Sequence, residues 1–346
     1  MSPVVSPLQA TAFLLASYAV IGNDALQTLG PFLAANRGRV TRSWQALFLC
    51  AVLVAVLLLG WLLCEGDPAW GRLASFGLPE RFGWPDLIPA LAVLALTKWG
   101  APVSTSFLVL TAFTPANLPA LLLHSLLGYA IALVLGMAIY ALVPAAIVVL
   151  AAIVNPGVSS GLGQTATAGP APAAEQTDPG HEMAGQRFWL VMQWVATGWL
   201  WSQWLIQDLA NLYIYLPRRI TGPELAASLA VLCLGVCLLT AEGGGPIQGL
   251  FSSKSGSEDP RATALVSALY GLILFSLGRW SSLPLSTTWV FLGLLAGREL
   301  ALAWQGRRCG ETPLAASLGT DLFKAGLGLA VSLAVALTVP WLKAIR

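Results

Sequence analysis

The sequence predicts an all-α polytopic membrane protein with two homologous halves, arranged as an inverted repeat that contains broken helices or re-entrant hairpins. Composition is the first observation: the chain of 346 residues is 57% hydrophobic and only 10% charged, whereas soluble domains are about 25% charged. The second is a series of apolar stretches that are long enough to cross a bilayer as helices. The third is a pair of polar motifs that occurs once in each half.

Apolar stretches without a charged residue recur along the chain. A transmembrane helix needs about 20 predominantly apolar residues, and one uncharged run, from residue 99 to 174, has room for at least two crossings. The first ten residues lack the positive start of a secretory signal, so the first apolar run is expected to stay in the mature protein. We expect a multi-pass protein of the cell (inner) membrane. The other candidate stretches are 43–64, 188–207, 225–241, 262–278, 280–297 and 325–342.

One segment, residues 155–187, breaks the apolar pattern without being a candidate span. It is rich in Gly, Ala, Pro, Ser and Thr, a composition that predicts a flexible linker. Residues 1–154 are therefore the predicted first transmembrane repeat, and residues 188–346 are the predicted second.

Both halves contain the same two motifs in the same order. An aspartate beside an amide occurs in "IGNDALQTLG" from Ile21 and in "IQDLANLY" from Ile206. A basic residue, Trp and then Pro-apolar-Ser-Thr-(Ser/Thr) follow in "KWGAPVSTS" from Lys98 and in "RWSSLPLSTT" from Arg279. The aspartate and the proline are 78 residues apart in the first half and 76 in the second. Matching spacing predicts an internal duplication, and an inverted repeat is common among transporters of this kind. Arginines follow the first motif in both halves, so the positive-inside rule leaves the orientation open.

The two aspartates predict a composite cation site. A carboxylate at the centre of a membrane helix costs roughly 2.5–3.5 kcal/mol on insertion scales, so it faces protein or water and has a partner. Nearby amides and a hydroxyl share its helix face at i+3 and i+4, and such oxygens suit Na⁺ or a proton better than a soft metal. The alternative for each aspartate is a helix cap or a surface position. The predicted cation-binding residues are Asn23, Asp24, Gln27, Thr28, Gln207, Asp208 and Asn211.

The second motif predicts two helix breaks and an anion site. Pro102 and Pro284 each remove a backbone donor and disfavour helix in the residue before them. A half-helix that restarts at the following hydroxyl residues would present N–H groups and hydroxyls at its positive end. The alternative is that these hydroxyls only bond to carbonyls freed at a kink. The predicted anion-binding residues are Ser104, Thr105, Ser106, Ser286, Thr287 and Thr288.

These motifs resemble those of the inorganic phosphate transporter (PiT) family of cation–phosphate symporters. That family carries roughly Gly-x-Asn-Asp-x-x-Asn-x-x-Gly and, downstream, Gly-(Leu/Ile)-Pro-Val-Ser-x-Thr-His in each half. The family's downstream histidine is replaced by Phe107 in one half and by Trp289 in the other, which marks a divergent relative. The resemblance implies Na⁺ or H⁺ coordination by the Asp and amide residues, and oxyanion contact from the Ser/Thr ends. The matching residues are Gly22, Asn23, Asp24, Gln27 and Gly30, then Gln207, Asp208 and Asn211, with 102–106 and 284–288 downstream.

The function predicted from these observations is secondary active transport: Na⁺- or H⁺-coupled symport of inorganic phosphate or a related oxyanion. The expected partners are a small inorganic anion, the coupling cation, the lipid bilayer and, as one form of assembly, a second copy in a homodimer. Nucleic acid is excluded because no basic patch exceeds three residues, and no cofactor or metal is expected beyond the coupling ion. Alternatives are transport of another solute such as sulfate, or a non-transporting scaffold or sensor. An intramembrane enzyme with an Asp24/Asp208 acid–base pair is disfavoured because no nucleophile accompanies the pair.

Overall fold

The fold is known from a computed structural model, which describes residues 5–77, 82–99, 103–154, 179–243, 260–280, 284–306 and 314–345. Within these ranges all regular structure is helical. The α-helices are α1 (Pro7–Val20), α2 (Leu26–Ala35), α3 (Arg42–Leu63), α4 (Ile88–Lys98), α5 (Thr111–Phe113), α6 (Leu118–Val154), α7 (Pro179–Asp208), α8 (Ala210–Tyr213), α9 (Gly222–Glu242), α10 (Pro260–Trp280), α11 (Thr287–Trp304) and α12 (Leu314–Ala344). Short π-helices cover Ile21–Ala25 and Ser106–Leu110, and 3₁₀ turns cover Trp84–Leu87 and Pro115–Asn117.

Five of the described helical segments are long and apolar enough to cross a membrane. At most 44% of each is buried inside the chain, so most of their apolar side chains face outward, as lipid-facing side chains do. This confirms the predicted class, an all-α polytopic membrane protein. The five segments are Arg42–Leu63, Pro115–Leu142, Gly222–Glu242, Thr263–Trp280 and Leu322–Ala344.

The two halves of the chain are interleaved. Helix α11 packs along α6, α9 packs against α3, and α7 packs against both α2 and α10. The contact between α6 and α11 is close because α11 carries Gly293 and Gly297 one turn apart, where a Cβ would collide with the carbonyl oxygens of Tyr129 and Leu133. Small residues at this spacing let membrane helices approach each other closely. Elements of both halves therefore share one core.

The predicted helix breaks are present in both halves. Helix α4 ends at Lys98, Val103 and Ser104 are non-helical, and the π-helix Ser106–Leu110 follows. Helix α10 ends at Trp280, and α11 starts at Thr287. Pro284 is buried and non-helical, whereas Pro102 lies outside the described residues. The apolar stretch 280–297 is consequently not one span, because the proline interrupts it.

The predicted linker is shorter than the sequence analysis proposed. Helix α7 already begins at Pro179, so residues 179–187 are helical, whereas we had predicted them as linker. Proline is favourable at the first helical position, and Glu, Met, Ala, Gln and Arg follow within the segment, all of which favour helix. The remainder of the predicted linker, residues 155–178, lies outside the described residues. The division of the chain at this segment stays a prediction.

Candidate binding site

Both motif aspartates lie where a helix is irregular. Asp24 belongs to the π-helix Ile21–Ala25 between α1 and α2, and Asp208 is the last residue of α7, followed by Leu209 and the short α8. Each aspartate is only 1% exposed. Wide turns of this kind are frequent at functional sites because they displace side chains from the regular helical face. The irregularities turn both carboxylates into the core, where a buried charge needs partners.

Hydroxyl groups from the two helix breaks meet both carboxylates. Thr105 donates a short hydrogen bond to Oδ2 of Asp24, and Oγ1 of Thr287 lies 2.5 Å from Oδ2 of Asp208. Thr288 Oγ1 lies 3.5 Å from Oδ1 of Asp24. Ser106 Oγ lies 3.4 Å from Oδ1 of Asp208. Four hydroxyl residues that we assigned to an anion site thus meet the two aspartates that we assigned to a cation site.

The hydroxyl contacts follow a two-fold pattern that crosses the halves. In the duplicated motif, Thr105 corresponds to Thr287 and Ser106 to Thr288. Each aspartate accepts from the threonine of its own half and from the next hydroxyl residue of the other half. A pattern in which each half completes the carboxylate of the other is what a duplicated binding site at the interface of two repeats would show.

The amide side chains differ between the two carboxylates. Asn211 Nδ2 lies 3.0 Å from Oδ1 of Asp208, 2.8 Å from Oγ1 of Thr105 and 3.2 Å from Oγ of Ser106. Oδ1 of Asn211 is buried without a donor in the described part of the chain. Asn211 therefore ties Asp208 to the first half's break and leaves one carbonyl oxygen available for a ligand.

The first half's predicted amides bond elsewhere. Gln27 Nε2 donates to Oδ1 of Asn23 at 3.0 Å, and Asn23 Nδ2 donates to Oγ1 of Thr97 on α4 at 3.2 Å. Thr28 Oγ1 donates to the backbone carbonyl of Asp24 at 3.2 Å. All three predicted side chains are within 2% of full burial, but these hydrogen bonds brace the π-helix against α4 rather than hold the carboxylate.

The first hydroxyl of each break caps the restarted helix. Ser104 Oγ accepts from the N–H of Phe107 at 3.3 Å, and Ser286 Oγ accepts from the N–H of Trp289 at 3.4 Å. Capping satisfies a helix-start donor that would otherwise be free. Ser104 and Ser286 thus position the half-helices, while the two hydroxyl residues that follow each of them reach the carboxylates.

Aromatic rings stand beside the site where the family resemblance would place histidines. The rings of Phe107 and Trp289 meet edge to face, with centroids 6.1 Å apart and planes at 88°. Tyr129 makes a second edge contact with Trp289, at 6.2 Å. This geometry is the favourable arrangement for two aromatic rings. The two replacements contact each other across the halves, so an apolar pair occupies these matched positions.

Gln207, a predicted cation ligand, points away from Asp208. Its Nε2 donates to the carbonyl of Leu274 on α10 at 3.2 Å, and its Oε1 is buried without a donor among the described residues. Adjacent helical residues do not face each other, which explains the divergence. Gln207 instead lines a cavity of about 560 Å³. The described residues that line it are Trp70, Gly71, Arg72, Gln203, Ile206, Gln207, Phe275, Gly278 and Arg279.

Two residues near the site carry no signal in the sequence. Arg72, between α3 and α4, donates from Nη2 to the carbonyl of Gly278 at 3.0 Å and is attracted by the carboxylate of Asp208. Burial lowers the pKa of Arg72 to about 10, and Asp208 opposes that shift, so the guanidinium is cationic at neutral pH. Tyr270 donates to the carbonyl of Thr287 at 2.8 Å and so fixes the start of α11. Neither residue belongs to the duplicated motifs, which were the guide to the site.

Fold and site together define a polytopic helical membrane protein with two buried carboxylates shared between interleaved halves. No protein-family model matches the chain, and no curated protein matches it in sequence. A solved structure described as "The sodium-dependent phosphate transporter" is similar over 98% of both chains, with a TM-score of 0.62 and 14% sequence identity. At this identity the likeness shows the fold alone, and it extends along nearly the whole chain.

Proposed function

We propose that the chain is a secondary active transporter that moves a small inorganic oxyanion, phosphate in the first instance, together with Na⁺ or H⁺. The observation that carries the proposal is the shared shell of hydroxyls around Asp24 and Asp208, built from both helix breaks. The full-length likeness to a sodium-dependent phosphate transporter supports it. The predicted inverted repeat and the division into residues 1–154 and 188–346 are part of this proposal.

The charges of the site give a physical reason for coupling. Asp24 and Asp208 lie close enough to repel each other, and both are enclosed by protein. Two uncompensated carboxylates would exclude an oxyanion, since like charges in a poorly solvated site repel strongly. A cation or proton at each carboxylate removes that repulsion. Anion binding then requires cation binding, which is the requirement of a symporter.

The ligand chemistry favours a hard cation. Carboxylate, hydroxyl and amide oxygens surround the site, and Oδ1 of Asn211 has no donor among the described residues. In the described part of the chain no group of three or more His, Cys, Asp and Glu side chains could hold a metal ion. Oxygen ligands without nitrogen or sulfur suit Na⁺. Na⁺ is thus the first coupling ion to test, with H⁺ as the alternative.

The oxyanion would use donors that now serve the carboxylates. Thr105, Ser106, Thr287 and Thr288 hydroxyls and the Asn211 amide point into the shared site. When a cation neutralises a carboxylate, these O–H and N–H groups are free to turn to an anion, because charge-assisted bonds go to the stronger acceptor. The site contains no histidine at the two aromatic positions, so anion selectivity is expected to differ from that of the family it resembles.

The test is uptake of labelled phosphate and labelled sulfate into proteoliposomes under a Na⁺ gradient, an H⁺ gradient or no gradient. We expect gradient-driven uptake of at least one anion, and loss of it in Asp24→Asn. Glu65→Gln is the matched control, because Glu65 is 76% exposed and pairs only at the surface with Arg219. Absence of uptake of both anions under both gradients in the unaltered protein would overturn the proposal.

A further inference from the structure

The cavity behind Gln207 is the feature that the proposed function does not yet use. It holds about 560 Å³ between the segment that follows α3 and the helices α7 and α10. Arg72 and Arg279 line it, and among the described residues no acidic side chain does. Arg279 is exposed, whereas Gln207 is 1% exposed. The cavity therefore runs from an exposed arginine to a buried amide next to Asp208.

At the buried end of the cavity, the Gln207 side chain lies between the cavity and the carboxylate site. Gln207 precedes Asp208 directly, and the only described polar contact of its amide nitrogen is the carbonyl of Leu274. A Cβ on Gly278 would collide with that nitrogen and would lie 2.8 Å from Nη2 of Arg72. Because residue 278 is glycine, there is room for both the Gln207 amide and the Arg72 guanidinium on the wall of the cavity. The unpartnered Oε1 of Gln207 leaves the amide free to exchange partners.

Electrostatics give the cavity a preference for anions. Two guanidinium groups on a recessed surface focus field lines and raise the local concentration of counter-ions. Guanidinium also matches the geometry of phosphate and sulfate oxygens. Arg72 is in addition attracted to Asp208, so it lies between the cavity and the carboxylate site. An oxyanion bound to Arg72 would therefore lie next to the shared site.

We propose that this cavity is an oxyanion-capture vestibule, in which Arg279 and Arg72 collect a tetrahedral oxyanion and the Gln207 side chain separates it from the Asp24/Asp208 site. The inference rests on the proposed transport function for its purpose, but the vestibule itself can be tested without transport. Phosphate and sulfate share the required chemistry, and both are used as probes.

The first experiment measures the charge selectivity of the cavity in detergent-solubilised protein. A cysteine is placed at its wall by Ile206→Cys, and modification rates are compared for an anionic and a cationic methanethiosulfonate of similar size. The unaltered chain provides the background from its own cysteines. We expect the anionic reagent to be favoured, phosphate or sulfate to slow its reaction, and Arg72→Gln or Arg279→Gln to reduce the preference about three- to tenfold. Equal rates for both reagents, without slowing by either anion, would overturn the vestibule.

The second experiment measures uptake kinetics. Arg279→Gln is expected to raise the KM for the anion about three- to tenfold, with little change in the maximal rate and a weaker dependence on ionic strength. Arg37→Gln, which alters an exposed arginine that does not line the cavity, is the control and is expected to leave KM unchanged. An unchanged KM in Arg279→Gln would contradict the capture role. Charge-selective labelling without any uptake would instead refute the proposed transport and leave the vestibule standing.

Discussion

The surroundings of Asp24 and those of Asp208 are built from matched motifs but are not equivalent. Asp208 has an amide partner, Asn211, and a nearby guanidinium, Arg72. Asp24 is held by two hydroxyl groups, and no basic side chain contacts it in the part of the chain that the structure describes. Its neighbouring amides bond to each other and to α4. The charge of Asp24 therefore depends more strongly on a bound cation or proton.

The proposed function gives these two sites different tasks. The side of Asp208 adjoins the cavity and carries positive charge, which suits entry of an anion. Asp24 is buried, and its partners among the described residues are hydroxyl oxygens, which suits a coupling cation. On the proposed duplication the hydroxyl pattern is shared, and the differences at Asn23, Gln27 and Asn211 separate the roles.

The largest expected effect is on cation dependence at Asp24. Asp24→Asn keeps the size of the side chain but removes the charge that has no protein partner of opposite sign. We expect uptake to fall at least about a hundredfold, a loss of about 2.8 kcal/mol, because the bound cation would lose the carboxylate that balances its charge. Stabilisation by Na⁺ in a thermal-shift assay should also disappear. In Asp208→Asn, with Arg72 left unbalanced, uptake should fall as well, yet Na⁺ should still stabilise the protein. Equal loss of Na⁺ stabilisation in both variants would contradict the division of tasks.

The next largest effect concerns the hydroxyl that each aspartate receives from its own half. Thr105→Val and Thr287→Val keep the shape of the side chain and remove its hydroxyl donor. A hydrogen bond to a charged group contributes about 1.5–3 kcal/mol. We expect cation affinity to fall about tenfold or more in Thr105→Val and less than about threefold in Thr287→Val, because Thr287 bonds to Asp208 rather than to Asp24. Serine at position 105 should restore most of the affinity. Titration calorimetry measures it, and a Ser variant as weak as the Val variant would show that the methyl group, not the hydroxyl, is needed.

A smaller effect distinguishes the two amides. Asn211→Ala removes the link between Asp208 and the first half's break, and we expect anion affinity to fall about tenfold, as for loss of one or two charge-assisted bonds. Gln27→Ala breaks a brace between side chains of its own helix region, so it should lower the melting temperature while anion affinity changes less than about threefold. Similar losses of anion affinity in both variants would mean that the two amides are functionally equivalent.

The sequence predicted the fold class and the two aspartates and hydroxyl residues that the structure brings together, but it did not establish their pairing. The repeated motifs and their matching spacing pointed to Asp24 and Asp208, and helix periodicity showed which neighbouring side chains share their helix faces. It does not show which half-helix start meets which carboxylate, because that depends on how the halves interleave. The crossed bonds of Ser106 and Thr288 depend on packing of the π-helix Ser106–Leu110 against α8 and of α11 against α2.

The incorrect or incomplete predictions have similar physical causes. Gln207 was assigned to Asp208 because it is adjacent in sequence, but adjacent residues point to different sides of a helix. Arg72 was missed because it lies in a connecting segment outside both motifs, and only tertiary packing brings it near Asp208. The helical start at Pro179 was hidden by a Gly/Pro-rich composition that ends just before it.

The central claim is that one shared site binds the anion only together with the cation. The most direct measurement is the dissociation constant of phosphate, and of sulfate, for the purified protein across a series of Na⁺ concentrations at two pH values. Linkage requires that a coupling free energy of about 1–3 kcal/mol appear as a 5- to 150-fold change in anion affinity. We expect at least one anion to bind more tightly as the concentration of Na⁺ or H⁺ rises, and Asp24→Asn to abolish this dependence. Anion binding that is indifferent to both cations would contradict it.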